Sequence, residues 1–478
     1  MAGLVSYGTY VPYFRLQRGA IASALGTPAG HGTRSVASYD EDTTSMGVEA
    51  ARRAMAAAPE GVTPAALLFA TASPAYLDKT NATAIHAALD LDGAARAYDF
   101  VGSVRSGVGA MSAAGTAPAP TLCVLSDVRT GLPGGADESA GGDAAAAFLF
   151  GDGPVLADLL GTAASTAEFL DRWRVPGDPA SRQWEERFGE AAYAPLAEAA
   201  VTDAFKRASI TVEEVDHLIV TGTHARACRR VAGSLGVRPS AVVDDLTAVV
   251  GNTGTAHPGL LLADVLDRAA PGEVIASVVL ADGVEVTVLR TTDALAGYQQ
   301  SRRTTAVASQ IRSGRDDLPY ASFLTWRGML HREPPRRPDP ERPAAPPSFR
   351  RESWKFGFAG TRCEQCGTRH LPPQRVCVKC GAVDRMARER LADVPATIAT
   401  FTVDRLAFSL SPPVVAAVID FDGGGRFQCE LTDVDPSAVA IGDRVEMTFR
   451  RLFTADGVHN YFWKARPVRS NAAAGEEV

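Results

Sequence analysis

Residues 363–381 read CEQCGTRHLPPQRVCVKCG. Here Cys363-x-x-Cys366 is followed, after ten intervening residues, by Cys377-x-x-Cys380. Two thiolate pairs at this spacing form two short knuckles, and together they offer four sulfurs in a tetrahedron, the arrangement zinc prefers. Gly367 and Gly381 follow the second cysteine of each pair and let the backbone turn under the metal. Two disulfides or four unrelated thiols are the alternatives. A site closed by four thiolates keeps no open position, so the zinc is expected to be structural. The ribbon also marks where a small second domain begins, and so divides the chain.

Upstream of it, residues 331–350 read HREPPRRPDPERPAAPPSFR. Such a density of proline and arginine predicts an extended, poorly packed linker. Its arginines read as solvated, with phosphate contact as the alternative. Downstream, residues 397–403, 414–421, 427–431 and 444–451 alternate like antiparallel strands, with turns at 422–425 and 442–443. About five strands in this space suggest a small barrel of the OB type. No strand carries an aromatic-plus-basic stripe, which argues against single-stranded nucleic acid. The expected domains are 1–330, a linker at 331–350, a zinc ribbon at 351–386, a barrel at 387–470 and a disordered tail at 471–478.

With 478 residues the chain is too long for one core. Its 46% hydrophobic and 22% charged content is that of a soluble globular protein, and a net charge of -7 argues against nucleic acid or an anionic membrane as partner. The opening residues lack a charged start with an apolar core, and no stretch is apolar for the length of a membrane span. Three cysteines lie outside the ribbon, Cys123, Cys228 and Cys429, at no useful spacing. A reducing cytoplasm is expected.

Within the large unit, residues 66–72, 121–126, 145–150 and 217–223 read as buried strands, and residues 45–58 and 196–208 as amphipathic helices. This alternation is an α/β layout. Residues 141–150 and 280–289 both run from Gly/Asp into an apolar strand, as expected of a duplicated half-domain.

Several segments of this unit carry a family resemblance. Tyr7-Gly8-Thr9-Tyr10-Val11-Pro12 with Arg15-Leu16, Tyr39-Asp40-Glu41-Asp42 leading to Ser45-Met46-Gly47-Val48-Glu49-Ala50, Gly251-Asn252-Thr253-Gly254-Thr255-Ala256, and the stretch from Tyr320 to Trp326-Arg327-Gly328 are similar to the 3-hydroxy-3-methylglutaryl-CoA synthases of the thiolase superfamily. From about residue 350 the chain resembles the zinc-ribbon plus OB-fold domain that accompanies thiolase-like proteins acting on acyl-CoA. The resemblance implies duplicated αβαβα layers, then a rubredoxin-like ribbon and an OB-type barrel.

Those synthases use a cysteine nucleophile, a glutamate general acid/base and a histidine that polarises the second substrate. By register on this sequence the glutamate position falls on Ala72, the cysteine on Ser103 and the histidine on Thr221, while Asn252 survives. A serine without a base is a poor nucleophile, alanine moves no proton, and threonine holds no positive charge. True synthase activity is therefore not expected. Backbone N–H groups after Ser103, with Asn252, remain able to stabilise a thioester enolate.

The expected activity is aldol/retro-aldol or Claisen chemistry on an acyl-CoA without a cysteine nucleophile. The alternatives are an acyltransferase using Ser103 or direct transfer, and a non-catalytic acyl-CoA scaffold for a partner enzyme bound through the ribbon and barrel. His224 and His257 are the candidate acid/base groups, each with a loop or helix-end role as the plain alternative. Arg105, Tyr76 and Lys79 are candidate substrate-binding residues, and Asp143 and Asp282 are read as turn-fixing. Trp173-Arg174 and residues 184–188 fall in an insertion after the first half, where helix packing or a dimer contact is expected, with aromatics capping the substrate as the alternative. Thiolase-like folds usually pair through the central sheet, so a homodimer is expected.

Overall fold

The computed structural model describes residues 3–27, 30–302 and 304–469, so the expected tail at 471–478 lies outside the described residues. The chain forms two units, one of Met1–Ala37, Asp42–Thr83 and Gly93–Tyr320, the other of Ser38–Glu41, Ala84–Asp92 and Ala321–Val478.

The first unit is built twice over. Its first half contains β1 (Gly3–Tyr10), α1 (Thr43–Ala56), β2 (Ala66–Thr71), β3 (Arg96–Val101), α2 (Arg105–Gly115), β4 (Thr121–Val128) and β5 (Asp143–Gly151). The second contains β6 (Ala157–Thr166), α3 (Glu186–Ala208), β9 (His217–Gly222), α4 (Ala225–Ser234), α5 (His257–Leu266), β10 (Val274–Leu280) and β11 (Gly283–Thr291). Between β6 and α3 a two-stranded hairpin is inserted, β7 (Arg172–Trp173) against β8 (Arg182–Gln183). The large sheet runs β9-β10-β11-β6-β1-β5-β4-β2-β3. In each half two strands are parallel and the next turns back: β2 with β4 and then β5, β9 with β10 and then β11. The returning strands β5 and β11 are the two segments whose Gly/Asp starts echo each other.

Helices cover both faces of these strands. α1 packs on β1, β4 and β5, and α3 on β6, β10 and β11. α2 and α5 touch strands of both halves, which gives the helix–strand–helix–strand–helix layering. Burial explains the sequence patterns. Every residue of β5 is buried, and its alanines leave room for close packing on both faces. α5 is buried nearly all round, so it is apolar rather than amphipathic. Gly259 on α5 is required by space, because a Cβ there would lie 2.8 Å from Leu125 and 2.9 Å from Phe148. α1 opens on a capping box in which the Asp42 carboxylate accepts the Ser45 N–H at 2.8 Å.

The structure differs from the sequence reading in two elements. α3 begins ten residues earlier than expected, at Glu186, and runs through Pro195. One missing N–H is tolerated where the helix is held by its buried face, including Tyr193, Ala197, Ala200 and Ala204. In the linker, residues 331–344 carry no helix or strand, but Ala345–Arg350 forms a short helix, α6. Pro346 and Pro347 lie in its first turn, where an N–H would have no helical partner anyway.

In the second unit, strands β12 (Ala359–Cys363), β13 (Arg369–His370) and β14 (Met386–Arg390) frame the ribbon. The Sγ atoms of Cys363, Cys366, Cys377 and Cys380 all lie within 4.8 Å of one another, with Cys363–Cys380 at 3.6 Å and Cys366–Cys377 at 3.5 Å. Four sulfurs at zinc's bond length from one ion stand about 3.8 Å apart. The knuckles therefore fit zinc. The following strands, β15 (Ala396–Asp404), β16 (Val414–Phe421), β17 (Arg426–Leu431), β18 (Arg444–Ala455) and β19 (Val458–Pro467), close into a barrel in the order β15-β16-β17-β19-β18. Trp463 and Phe449 fill it, and Phe358 stacks in an aromatic cluster with Trp354, Phe427 and Phe462.

This unit also buries charge. Arg450, fully buried, bonds Glu41 at 2.7 Å, Asp433 at 2.6 Å and Asp40 at 3.3 Å, while Lys464 reaches Asp40 at 3.0 Å and Glu430 at 2.8 Å. Burial alone would raise the proton affinity of Asp40; Lys464 and Arg450 more than offset it and hold the carboxyl ionised. Among the described residues no helix is long and apolar enough to cross a membrane.

Two outcomes follow from this unit. Arg450→Met strands buried carboxylates without their cation and is expected to cost about 3–5 kcal/mol, read as a lowered midpoint in denaturant unfolding. One zinc per chain is expected by elemental analysis. Cys366→Ser should abolish it, and retention of stoichiometric zinc would contradict the four-sulfur site.

Candidate active site

Between the two halves of the first unit lies a cavity of about 90 Å³. Its floor includes Ala72, which follows β2, and Gly102-Ser103-Val104, the turn from β3 into α2. Gly102 has φ +123°, a conformation that side chains resist, and this sharp turn brings Ser103 to the wall. The inserted hairpin closes the other side with Asp171, Arg172, Trp173, Arg174 and Ser181, and Tyr193 reaches in from α3. Trp173 thus faces a cavity, where helix packing or a dimer contact was the expectation.

Asp127, at the end of β4, is buried behind this wall. Its carboxylate accepts the Ala72 N–H at 3.2 Å, the Thr71 hydroxyl at 3.3 Å and the Thr255 N–H at 3.0 Å. Burial raises its proton affinity, opposed by the Arg129 cation and these donors. Asp143 accepts the N–H groups of Ala37 at 2.7 Å and Arg129 at 2.8 Å, so it does fix a turn.

Of the residues singled out in the sequence, Ser103 lines the cavity, and no hydrogen bond to its hydroxyl is found among the described residues. The others are placed elsewhere or are already engaged. Asn252 spends both ends of its amide on backbone, donating to the Gly222 carbonyl at 2.8 Å and accepting from the Gly254 N–H at 3.0 Å. Thr221 is buried in β9, and Thr223 lines the cavity instead. His224 caps α4: its Nδ1 accepts the Ala227 N–H at 3.0 Å and its Nε2 donates to the Glu186 carbonyl at 3.0 Å. It borders an adjoining cavity that shares Asp171, Arg172 and Thr223. His257 is buried at the start of α5, where Nδ1 accepts from Thr253, and burial pushes its pKa down to about 4. It is neutral near pH 7 and lies outside the cavity wall.

Arg105 clamps the turn between β10 and β11, donating to the carbonyls of Ala281 at 3.1 Å and Asp282 at 2.5 Å and to the Thr166 hydroxyl at 2.7 Å. Lys79 bonds Thr80 and Thr83 and sits 6.0 Å from the ring of Tyr76; neither lines the cavity. The three cysteines outside the ribbon are absent from the cavity wall as well. Cys123 is buried in β4 with its thiol pushed well above the usual range, and burial pushes Cys228 and Cys429 up to about 12.

The groups missed in the sequence are Asp171, Tyr193 and Arg129, and Arg174 was noted there only as part of the insertion. Tyr193 and Asp171 line the cavity together and are both nearly fully buried, near enough for the Asp171 carboxylate to act on the Tyr193 phenol. Burial raises the proton affinity of each, and for Tyr193 the neighbouring Asp171 and Asp282 add to it. Arg174 donates to the Ala72 carbonyl and lies 3.4 Å from the Ser73 hydroxyl. Arg172 is paired with Asp137.

Comparison with known proteins agrees with this architecture. Residues 357–384 match the family described as ChsH2, rubredoxin-like zinc ribbon domain, and residues 389–450 the ChsH2, C-terminal OB-fold domain. Hydroxymethylglutaryl-CoA synthase of Aeropyrum pernix is 30% identical over 347 residues, covering 69% of this chain and 95% of that protein. The enzyme of Methanopyrus kandleri is 29% identical over 289 residues, covering 57% and 81%. Among solved structures, PksG, a hydroxymethylglutaryl-CoA synthase from Bacillus subtilis, superposes with a TM-score of 0.59 at 19% identity, over 69% of this chain and 89% of that one. An HMG-CoA synthase complexed with CoA gives 0.58 at 17% identity, over 68% and 90%. The duplicated nine-stranded unit, followed by a four-cysteine ribbon and a closed five-stranded barrel, together with these matches places this chain in the hydroxymethylglutaryl-CoA synthase family, fused to ChsH2-type zinc-ribbon and OB-fold domains.

Proposed function

We propose that this protein makes or breaks a C–C bond beside the thioester of an acyl-CoA, by aldol, retro-aldol or Claisen chemistry that forms no cysteine acyl-enzyme. The observation that carries the reading is the buried pair Tyr193 and Asp171, together in a cavity whose wall holds no cysteine among the described residues. CoA enters the reading through the relatives, one of which is known in complex with it.

In the retro-aldol direction, the Tyr193 hydroxyl accepts the proton of a β-hydroxyl while passing its own proton to Asp171. The Cα–Cβ bond breaks, a carbonyl forms at Cβ, and the electron pair moves into the thioester enolate, which is then protonated at Cα. Relay matters because burial and two nearby carboxylates make a free phenolate at Tyr193 costly. With Asp171 as terminal acceptor, none has to form. The enolate oxygen is served by the N–H groups of Val104 and Arg105, just after Ser103, whereas those of Ser106 and Gly107 already donate to the carbonyls of Ser103 and Val104 at 3.1 Å each. Ser103 lacks a bonded base, which disfavours acyl transfer through its hydroxyl.

The test is incubation of the purified protein with β-hydroxyacyl-CoA esters and detection of released aldehyde or ketone. Absence of release and of the reverse addition would refute the proposal, and a stable acyl adduct lost in Ser103→Ala would favour transfer instead. Tyr193→Phe and Asp171→Asn are each expected to lower kcat by about a hundredfold or more. The wild-type rate should rise with pH through a carboxyl titrating above the usual range, and this limb should vanish in Asp171→Asn. His224→Asn keeps the helix cap and should leave turnover near wild type, whereas His224→Ala should cost about 1 kcal/mol of stability.

A further inference from the structure

We infer that Arg129 and Arg174 form a carboxylate-binding subsite at the Ala72 end of the cavity, so that the acyl group carries a second, free carboxylate. The inference rests on the acyl-CoA reading above and narrows its substrate class.

Three guanidinium groups, Arg129, Arg172 and Arg174, line this cavity. Their situations differ. Arg172 is paired with Asp137. Arg174 bonds only the Ala72 carbonyl and the Ser73 hydroxyl, with no carboxylate at ion-pair distance among the described residues. Arg129 is fixed through its backbone, the N–H to Asp143 and the carbonyl to Arg34, yet its guanidinium makes no hydrogen bond or ion pair among the described residues. The stem of Arg129 runs beside Asp127, since a Cβ placed on Gly254 would lie 2.8 Å from its Cδ and 2.3 Å from an Asp127 oxygen. That carboxylate is already shared among Ala72, Thr71 and Thr255.

The charges that act most on Arg129 are those of Arg172, Asp127, Asp137 and Arg174. Around this half-buried end of the cavity the three arginines thus stand with two neighbouring carboxylates, one of them paired with Arg172. Asp171 and Asp282 act on Tyr193 at the acid/base pair instead. An uncompensated guanidinium in a partly dry cavity is costly unless an anion completes it, and a planar fork matches a carboxylate. Ala72 adds no side chain beyond Cβ, which leaves the space beside Arg174 for such a group. An anion held there keeps the acyl chain extended between the arginines and the Tyr193–Asp171 pair.

Calorimetric binding of two CoA esters of equal chain length tests this without any turnover: succinyl-CoA, with a terminal carboxylate, against butyryl-CoA, without one. The wild-type full-length protein should bind succinyl-CoA about tenfold or more tighter, and Arg174→Gln or Arg129→Gln should bring the two affinities close together. Ala72→Glu offers a second route, because an internal carboxylate beside Arg174 should cancel the preference even if an arginine variant fails to fold. Equal affinities in the wild type, or a preference that survives all three changes, would overturn the subsite while leaving the acyl-CoA reading intact. Binding of neither ester would overturn both.

Discussion

One buried carboxylate organises the site. Asp127 sits at the end of β4, in the first half of the duplicated unit, and accepts hydrogen bonds from Thr71 and Ala72 after β2. It also accepts the N–H of Thr255, which belongs to the loop that enters α5 in the second half. A lone carboxylate in such a place would take up a proton; three donors and the Arg129 cation oppose that tendency. The two halves are thus tied at the point where the cavity opens between them. Space enforces the tie too, because Gly107 of α2 lies where a Cβ would come within 2.8 Å of Thr255. Removing this carboxylate would disturb both loops and take a neighbouring negative charge from Arg129 at once.

Much of the architecture was legible in the sequence because burial writes a local pattern. Residues 145–150, within the nine buried residues of β5, read as an apolar run, and the four cysteines announced a ribbon by spacing alone. The candidate site was less legible, for reasons that can be named. Tyr193 lies in the first turns of α3, upstream of residues 196–208, whose amphipathic pattern is what predicts the helix. Asp171 and Arg174 lie in an insertion with no periodicity, and only the fold brings them against Ala72 and Ser103. The histidines misled in the opposite way. His224 has the residue type for proton transfer, but its position before a helix commits its Nδ1 to a cap, a bond that sequence spacing does not distinguish from a catalytic one. Arg105 and Asn252 likewise spend their donors on backbone carbonyls.

The second unit shows how short a segment can carry an essential charge. Residues 38–41 sit between stretches of the first unit in sequence, yet they fold with the barrel and bring Asp40 and Glu41 to Arg450 and Lys464. Asp40 and Glu41 join Asp433 and Glu430 of the barrel itself in satisfying two buried cations, so the charge balance of this unit draws on a segment distant in the chain. The resemblance had assigned Tyr39–Asp42 to the approach to the first long helix. Asp42 does cap that helix, while its two acidic neighbours complete a different core.

Two of the changes that the resemblance implies, at positions 72 and 103, make sense together when charge is counted. In the resemblance a glutamate stands at position 72 and a cysteine at 103. Without the glutamate, the cation at that end has no internal counterion, and Arg174 bonds the bare carbonyl of Ala72. A base at that end would compete with a substrate anion for the same guanidinium, so anion binding and proton transfer are better separated. In the proposed reading they are: the anion goes to Arg129 and Arg174, and the proton to Tyr193 and Asp171 across the cavity. Moving the proton chemistry to the insertion also removes the need for an acyl-enzyme, because an enolate needs a base and an oxyanion site but no nucleophile. The serine at 103 then matters for the turn it occupies, after a glycine at φ +123°, rather than for its hydroxyl.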